Sequence, residues 1–425
     1  MAKNENNDKP IGRKDRARIL AAIKKLVLKR HFNIAGIVYE DWLRSVDQRM
    51  EELLSADLEG FENGIRALLS GLGSSHTLFY NEKTRQVLPQ HSINATLRTI
   101  SLNGTERWMF LDIFEEGPAH VAGIMPGDLL LAVDGCECKT PTMPLFGIGR
   151  THRLKVSDIR REGAREVSVN VPHVKGSRSI PPMVEPKSLG HKVIAPRMGL
   201  LKVTYFPGGM GLRFTKQLDA AISALKEQGV DHLIVDLRGN IGGGLGLARL
   251  ASYMCPGQLP IGHSLTRRRL LTGYKVDQLL RVPMPRTKVE LLLTLGRFAF
   301  RDKSLVLLTQ GLGPQPFHNK IVLLVNEWTN SAAEMVAGFA AEHRLATTVG
   351  TKTAGNVLGA ANFRVGCGYT LRLPIFGWYT PRGDCLEGKG VSPEIKVALD
   401  PNHLNAGVDQ QMDKALEILR GTERV

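Results

Sequence analysis

One segment of the chain has the residue types and the order that a nucleophilic side chain requires. In LVNEWTNSAAEMVAG, residues 324–338, an apolar run leads through a polar turn to Ser331, which then stands at the first turn of a predicted helix. A helix start presents free backbone N–H groups and the positive end of the helix dipole, so a serine there has oxyanion donors near the atom it attacks. A structural interpretation stays open, in which Asn330 or Ser331 caps the helix and Glu334 completes a capping box.

A glycine-rich loop in VDLRGNIGGGLGLA, residues 235–248, is a second candidate. Gly242, Gly243 and Gly244 follow an apolar run and open a predicted helix, which lets backbone N–H groups approach a ligand closely. Phosphate binding is one interpretation, but the Lys-Ser or Lys-Thr pair of a P-loop is missing, and the glycine order fits a dinucleotide fingerprint poorly. A role in binding an oxyanion or the substrate backbone remains open.

Two further segments supply a base and an acid. In SGLGSSHTLFYN, residues 70–81, Ser75 and His76 stand in a glycine-rich turn, and histidine is the usual general base near neutral pH. A lone histidine in a loop is nevertheless more often structural. In GDCLEGKGVSPEIKV, residues 383–397, Glu387 lies in a turn. It could orient a catalytic group, or it could be an ordinary surface acid.

Three regions of different pattern must position these segments. Residues 1–87 repeat apolar residues at helical spacing and predict an N-terminal helical bundle. Residues 88–175 contain short β-rich runs and predict a β-module with one short helix. Residues 176–425 alternate strands with helices and predict an α/β core, whose first part, the proline- and serine-rich 176–190, predicts a linker. The sequence therefore predicts a multidomain α/β protein.

The composition indicates folded protein and excludes several classes. Of 425 residues, 43% are hydrophobic and 23% are charged, which is ordinary for a globular protein of two or three domains. No apolar run approaches the roughly 18–20 residues that cross a bilayer. The first residues, MAKNENNDKP, lack the apolar segment of a secretory signal, which predicts a cytoplasmic protein. Five cysteines without zinc or haem spacing favour reduced thiols, and no motif predicts a metal or a cofactor.

The net charge of +15 is concentrated in two segments. Residues 1–30 hold ten Lys or Arg against three acids, and residues 262–297 hold eight against two. Basic segments suit nucleic acid, but no aromatic residues are interleaved with them and no nucleic-acid motif occurs, so we do not predict a nucleic-acid partner. We expect 262–297, with Arg267, Arg268 and Arg269, to border the cleft and to favour acidic substrates.

Several short motifs follow one another along the chain in a characteristic order. The run GPAHVAGIMPGDLLLAVDG resembles a PDZ domain, and DLRGNIGGG, NSAAE, VGTKTAGN and EGKGVSPEI follow it. In this order they resemble the C-terminal processing peptidases and their tricorn-like relatives, over nearly all of residues 35–400. The resemblance implies a PDZ-like domain at 88–175 and, for 176–425, the spiral α/β fold of Clp-protease and crotonase cores. An acyl-CoA role would need an adenine-binding pattern, which we do not find.

The family has two catalytic arrangements, and the residues distinguish them. One uses a serine and a later lysine. The position of that lysine corresponds here to Asn356, and Lys352 lies four residues earlier. The tricorn-like arrangement instead uses a Ser-His pair before the PDZ-like domain, the nucleophile and a late glutamate, all of which this sequence supplies.

The second arrangement implies a role for each residue. Ser331 would attack a peptide carbonyl, His76 would take and return the proton, and Glu387 would act through Ser75 to orient His76. The implied oxyanion donors are the N–H groups of Ala332 and of Gly242 or Gly243.

The resemblance thus implies a serine endopeptidase that processes peptides or unfolded proteins, with their C-termini as one means of recognition. The PDZ-like module would bind an extended peptide by strand addition, with a carboxylate-binding loop at residues 94–99. The alternative is a catalytically inactive, PDZ-containing relative that only binds peptides. The sequence leaves the substrate, the cleavage preference and the oligomeric state open.

Overall fold

We describe the chain from a computed structural model, in which the described residues are 11–34, 36–81, 86–159, 163–174, 182–285, 289, 290, 292, 293, 296, 302 and 304–421. Within these residues the helices are α1 Arg13–Arg30, α2 Tyr39–Gln48, α3 Met50–Ser55, α4 Leu58–Ser70, α5 Pro89–Ser92, α6 Pro118–Val121, α7 Leu212–Glu227, α8 Leu247–Ser252, α9 Arg267–Thr272, α10 Ala332–Glu342, α11 Pro401–Asn405 and α12 Gln410–Gly421. Of these helices, none combines the length and the apolar character that crossing a bilayer requires.

The strands follow the same chain order. They are β1 Leu78–Asn81, β2 Gln86–Val87, β3 Ala95–Leu102, β4 Thr105–Ile113, β5 Asp128–Val133, β6 Cys136–Glu137, β7 Phe146–Gly147, β8 Thr151–Asp158, β9 Ala164–Asn170, β10 Leu189–Ala195, β11 Met198–Val203, β12 His232–Asp236, β13 Pro260–Thr266, β14 Leu280–Pro283, β15 Leu305–Leu308, β16 Ile321–Val325, β17 Thr347–Gly350, β18 Gly359–Gly366, β19 Tyr369–Tyr379 and β20 Ile395–Lys396.

A mixed sheet forms the centre of the α/β core. Its strands lie in the order β10-β11-β12-β16-β17-β20, with β10 antiparallel and the remaining neighbours parallel. Side chains alternate between two buried faces, since Leu233 and Leu323 pack with α7, α8 and α10, whereas Ile234 and Leu324 pack with α12. Because both faces are buried, these strands read as unbroken apolar runs. The predicted α/β alternation is confirmed.

A second sheet carries the segment that contains His76. Its strands lie in the order β1-β19-β13-β15-β14, and β18 also pairs with β19. Strand β1 begins just after His76 and runs antiparallel to β19, with Leu78 opposite Arg372. Pairing between the two ends of the chain therefore places His76 beside the core.

The N-terminal helices form where the sequence predicts them, but they do not form a separate core. Ile19 and Ile23 of α1 and Phe61 of α4 pack in one cluster with Leu371 and Leu373 of β19. The helices therefore need strands from the far end of the chain to bury their apolar faces, and a domain boundary at residue 87 stays a prediction.

The prediction of a linker is wrong for its second half. Residues 175–181 lie outside the described residues, but Met183 and Val184 are each only 8% exposed. The Val184 N–H donates to the His91 carbonyl over 2.7 Å, and the Asn94 side chain donates to the Val184 carbonyl over 2.8 Å. These hydrogen bonds and apolar contacts fix the segment to the β-module, and β10 follows directly.

The β-module contains an antiparallel sheet in the order β3-β4-β5-β8-β9, with the short helix α6 between β4 and β5. This module contacts the turn that precedes Ser331. The Asp112 carboxylate accepts hydrogen bonds from Asn326 Nδ2 over 3.0 Å and from Thr96 Oγ1 over 2.6 Å, and Trp328 Nε1 donates to the Leu97 carbonyl over 3.0 Å. Burial raises the pKa of Asp112, and its donors oppose that shift.

We expect the Asp112→Ala substitution to destabilise the protein by about 2–4 kcal/mol, because it leaves the Asn326 and Thr96 donors without an acceptor. Urea denaturation followed by circular dichroism measures this loss. The matched control is Glu166→Ala, in the same module, whose exposed carboxylate lies 3.9 Å from Arg153 and whose loss should cost less than about 1 kcal/mol. Equal losses for the two variants would contradict the importance of the Asp112 contact.

Candidate active site

Ser331 lies at the start of α10, as the sequence predicts. Strand β16 ends at Val325, residues 326–330 form the turn, and α10 begins at Ala332. Ser331 has φ 53° and ψ −114°, and a backbone conformation of this kind costs a non-glycine residue about 1–3 kcal/mol. Such strain persists only where surrounding contacts hold it, and it is concentrated at functional sites.

Asn240 ties the glycine loop to the turn that carries Ser331. Its carbonyl accepts the Asn330 N–H over 2.8 Å, and its side chain donates to the Val203 carbonyl over 2.7 Å. The loop then passes so close to the serine that a Cβ at Gly242 would lie 2.7 Å from Ser331 Cβ. Gly242 also has φ 85°, so both space and backbone conformation require glycine here.

The hydrogen bonds of the glycine loop show which of its backbone N–H groups are free to bind an oxyanion. The Gly242 N–H donates to Asn240 Oδ1 over 2.8 Å and is therefore engaged. Within the described part of the chain, the N–H groups of Gly243 and Ala332 have no acceptor. Of the two glycines that the sequence suggests, Gly243 is thus the one whose N–H can still bind an oxyanion.

A chain of hydrogen bonds joins Glu387, Ser75 and His76. Glu387 Oε2 accepts from Ser75 Oγ over 3.0 Å, and Ser75 Oγ lies 2.9 Å from His76 Nδ1. The other carboxylate oxygen accepts the Ser75 backbone N–H over 2.8 Å, and Oε2 also accepts the Val357 N–H over 2.9 Å. The structure therefore brings together three residues that are up to 312 positions apart.

The direction of these hydrogen bonds determines the tautomer of His76. An ionised carboxylate can only accept, so the Ser75 hydroxyl donates its single proton to Glu387. The same oxygen must then accept from His76, which requires a proton on Nδ1. The lone pair of His76 consequently lies on Nε2, the nitrogen that is free to act as a base.

Glu334 holds the turn that carries Ser331 against the segment that binds Glu387. Its carboxylate is fully buried. One oxygen accepts the N–H groups of Ser331 and Asn356 over 3.1 and 2.8 Å, and the other accepts the Gly355 N–H and the Thr353 hydroxyl, each over 2.6 Å. Burial raises the pKa of Glu334, whereas its four donors favour the charged form.

The positions of Asn356 and Lys352 do not fit the serine–lysine arrangement. Asn356, at the position of the family's lysine, donates from Nδ2 to Asn330 Oδ1 over 2.9 Å. Asn356 lines the same cavity as Ser331, and Lys352 is not part of its described lining. A neutral amide thus occupies the place where a lysine base would be needed.

One cavity of about 370 Å³ is lined by four of the seven predicted site residues, and Glu387, Ala332 and Gly242 are not in its described lining. Its described lining includes Ser75, His76, Gly243, Asn330, Ser331 and Asn356. A wider cavity, of about 840 Å³, lies on the β-module against Asp134 and Arg153 and contains none of them. We therefore take the smaller cavity as the candidate active site, because the candidate catalytic side chains line it.

His91 and Arg372 are among the residues of this cavity that sequence reasoning missed. His91 stands in the short helix α5 and had no recognisable pattern around it. Arg372 had a weak signal, since it is a charged residue between Leu371 and Leu373 in a strand that is otherwise mostly apolar.

The environment keeps His76 neutral. Burial, followed by the charges of Arg372 and His91, lowers the pKa of His76 to about 4. Burial and the charge of Arg372 likewise lower the pKa of His91 to about 4. At neutral pH both imidazoles are therefore uncharged, which is the form that a general base must have.

The basic segment 262–297 lies elsewhere. None of its described residues lines the cavity that contains Ser331. Arg267 instead lies over the Tyr39 ring and donates to the Leu28 carbonyl. The expectation that this segment borders the cleft is therefore wrong for the part that the structure describes.

Comparison with known proteins supports a peptidase fold. Residues 197–397 match the model of peptidase family S41. The chain is 24% identical over 325 residues to a carboxyl-terminal-processing protease of Synechocystis, an alignment that covers 72% of this chain and 63% of that protein. The chain spans between 50% and 64% of the length of three such curated relatives.

Two solved structures share the fold at 16% sequence identity. One is the photosystem II D1 C-terminal processing protease, with a TM-score of 0.55 and coverage of 95% of this chain and 97% of that chain. The other is mature CPAF in complex with lactacystin, with a TM-score of 0.58 and coverage of 96% and 98%. Residues 197–397, the segment that matches the model of peptidase family S41, contain the glycine loop, Ser331 and Glu387.

Proposed function

We propose that this chain is a serine peptidase in which Ser331 is the nucleophile and His76 is the general base. The observation that carries the proposal is the hydrogen-bonded chain from Glu387 through Ser75 to His76, which ends in the cavity that Ser331 lines. The strained backbone of Ser331 at a helix start adds to it, because that geometry exposes Oγ next to free N–H groups.

In the proposed reaction, each of these residues has a defined role. Ser331 Oγ attacks the carbonyl carbon of the peptide bond, and its proton passes to His76 Nε2. The carbonyl oxygen becomes an oxyanion, for which Gly243 and Ala332 offer N–H groups. When the tetrahedral intermediate collapses, the C–N bond breaks and His76 returns the proton to the leaving amine. Water then repeats the sequence on the acyl-enzyme and releases the second product.

Ser75 and Glu387 act through His76. The carboxylate fixes the Ser75 hydroxyl, and that hydroxyl fixes the imidazole in the tautomer that exposes a lone pair on Nε2. The positive charge that forms on His76 is opposed by burial and by the charges of Arg372 and His91. Ser75 and Glu387 are therefore positioning residues in this proposal.

The substrates that we propose are extended peptides or unfolded proteins. The curated relatives are carboxyl-terminal-processing proteases by name, which makes a free C-terminus a reasonable recognition element. In this structure, however, the segment predicted to bind a C-terminal carboxylate is engaged within the chain, since Asn94 donates to Val184 and the Leu97 carbonyl accepts from Trp328. Peptide binding there by a PDZ-like module would first have to release these contacts.

The first test is labelling by a fluorophosphonate probe, which reacts only with an activated serine. We expect the parent chain to be labelled, Ser331→Ala to abolish labelling, and His76→Ala to slow it about 10²–10⁴-fold through loss of the general base. Mass spectrometry of the labelled peptide identifies the modified residue. Unchanged labelling of His76→Ala would contradict the role of this histidine, and a folded parent that is never labelled would favour a peptide-binding relative without catalysis.

The pKa of His76 predicts the pH dependence of labelling. Because its pKa lies at about 4 rather than 6.5, His76 remains an unprotonated base from neutral pH down to about pH 5. We expect the labelling rate to be flat between about pH 5 and 8 and to fall as the pH drops through about 4. Circular dichroism at each pH checks that the chain stays folded.

His91 is the competing explanation for such an acid limb, since its pKa also lies at about 4. The His91→Gln variant separates the two groups. An acid limb that persists in this variant belongs to His76, whereas its loss would assign the limb to His91. A limb near pH 6.5 in the parent would contradict the buried, neutral state of His76.

The role of Glu387 is tested by Glu387→Gln. The amide of glutamine has one acceptor oxygen for the three donors that Glu387 binds, so at least one donor loses its partner and Ser75 is held less firmly in the orientation that selects one tautomer of His76. We expect labelling to slow about 10²–10⁴-fold while Ser331 remains the labelled residue. A rate within twofold of the parent would contradict the positioning role.

A further inference from the structure

Arg372 brings a positive charge into the active-site cavity. It lies on β19, where its neighbours Leu371 and Leu373 are fully buried. Its cross-strand partner is Leu78, two residues after His76. The side chain lines the cavity that also contains Ser331 and His76, so strand pairing fixes the guanidinium next to the catalytic groups.

This guanidinium has no carboxylate partner among the described residues. In the described part of the chain, Arg372 Nη1 donates a hydrogen bond to an uncharged acceptor, Asn362 Oδ1, over 3.2 Å. The groups that act on its charge are Tyr80 and Tyr205, and burial lowers the pKa of Arg372. A partly desolvated cation without a counter-charge is unfavourable, and this one leaves several N–H donors for another acceptor.

A second buried arginine in the same chain shows the contrast. Arg238 binds both oxygens of the Asp236 carboxylate over 2.9 Å and also reaches Asp409 over 2.8 Å. The two carboxylates raise the pKa of Arg238 well above its ordinary value. The fold therefore pairs a structural arginine completely, while the arginine in the cavity is left with a single amide oxygen.

We propose that Arg372 binds a carboxylate of the substrate, which makes it a specificity-determining residue of the proposed peptidase site and rests on that proposed function. A guanidinium offers two parallel N–H donors to a carboxylate, and such bidentate, charge-assisted pairs are stronger than neutral hydrogen bonds. The carboxylate is either an acidic side chain close to the scissile bond or the C-terminus of the peptide. Both sources present the same chemistry to Arg372.

Binding of a carboxylate also affects catalysis. The charge of Arg372 disfavours the imidazolium that His76 must become when it takes the proton from Ser331. A bound carboxylate neutralises this charge, so proton transfer becomes easier when the matching substrate is present. The preference should therefore appear in kcat as well as in KM.

The experiment uses three pools of peptides from one unrelated proteome. In the first pool all carboxylates are free. In the second, the proteins are amidated before digestion, so that only the new C-termini carry a carboxylate. In the third, the peptides are amidated after digestion and carry none. Cleavage is quantified by mass spectrometry, and fluorophosphonate labelling of Ser331 is measured for every variant.

We expect the parent to cleave the first pool about 10–100-fold faster than the third, the range set by one charge-assisted contact. The second pool assigns the source: fast cleavage indicates the C-terminus, and slow cleavage indicates an acidic side chain. Arg372→Met should abolish the difference in cleavage rate between the first and third pools. Arg372→Lys should retain part of this difference, because lysine keeps the positive charge but lacks the two parallel N–H donors of the guanidinium. The matched control, Arg281→Met, removes an exposed arginine of the same sheet on β14 and should preserve the difference.

The outcomes separate this proposal from the proposed function. A labelled parent that cleaves all pools equally, or an Arg372→Met variant that keeps the preference of the parent, would overturn the role of Arg372 and leave the peptidase intact. Absence of both labelling and cleavage would instead contradict the proposed function. In that case, binding of peptides to the immobilised Ser331→Ala variant still tests Arg372. If Arg372 binds carboxylates, this variant retains more peptide from the first pool than from the third, and the double variant Ser331→Ala, Arg372→Met does not.

Discussion

The buried carboxylate of Glu334 is the interaction on which the arrangement of the site depends. It accepts the N–H of Ser331 on one side and the N–H groups of Gly355 and Asn356 on the other. The next N–H along the chain binds Glu387, which holds the Ser75–His76 pair. The strained backbone of Ser331 and the position of His76 are thus fixed by one network of charge-assisted hydrogen bonds. Because the network is buried, removing one acceptor leaves several donors unpaired, which makes the arrangement rigid.

The same network explains why no region of the chain forms the site alone. Ser75 and His76 precede β1, which is held in place by β19 near the C-terminus, and the apolar faces of the first helices are covered by that strand as well. The β-module binds the turn before Ser331 through the hydrogen bond between Asp112 and Asn326. A salt bridge of 2.6 Å between Arg98 and Glu327 adds to this contact. Helices, module and core therefore fold as interdependent parts, and separation of one would disturb the geometry of the others.

The sequence predicted what local backbone chemistry determines. Two patterns are visible in the sequence: a serine between an apolar run and a helix, and glycines where the chain must pass close to that serine. The glycines are needed because a side chain at Gly242 would collide with Ser331. The grouping of the Ser75–His76 pair with Glu387 came from motif order, because the 312 positions that separate Ser75 from Glu387 leave no local trace. The shared core of the helices, the Asp112 contact and the place of Arg372 were missed. Each depends on the register between distant strands, which a single sequence does not reveal.

The electrostatics of the cavity connect substrate choice to proton transfer. The many charges outside the site, including the arginines near residue 267, contribute to a general field that salt screens. Arg372 differs because it is half-buried and acts on His76 directly. A cation beside a general base makes that base weaker, which is a disadvantage unless something neutralises the cation during the reaction. In the peptidase that we propose, the group present only at that moment is the substrate, so an arginine without a carboxylate partner in this position fits a site that becomes fully active only when an acidic peptide occupies it.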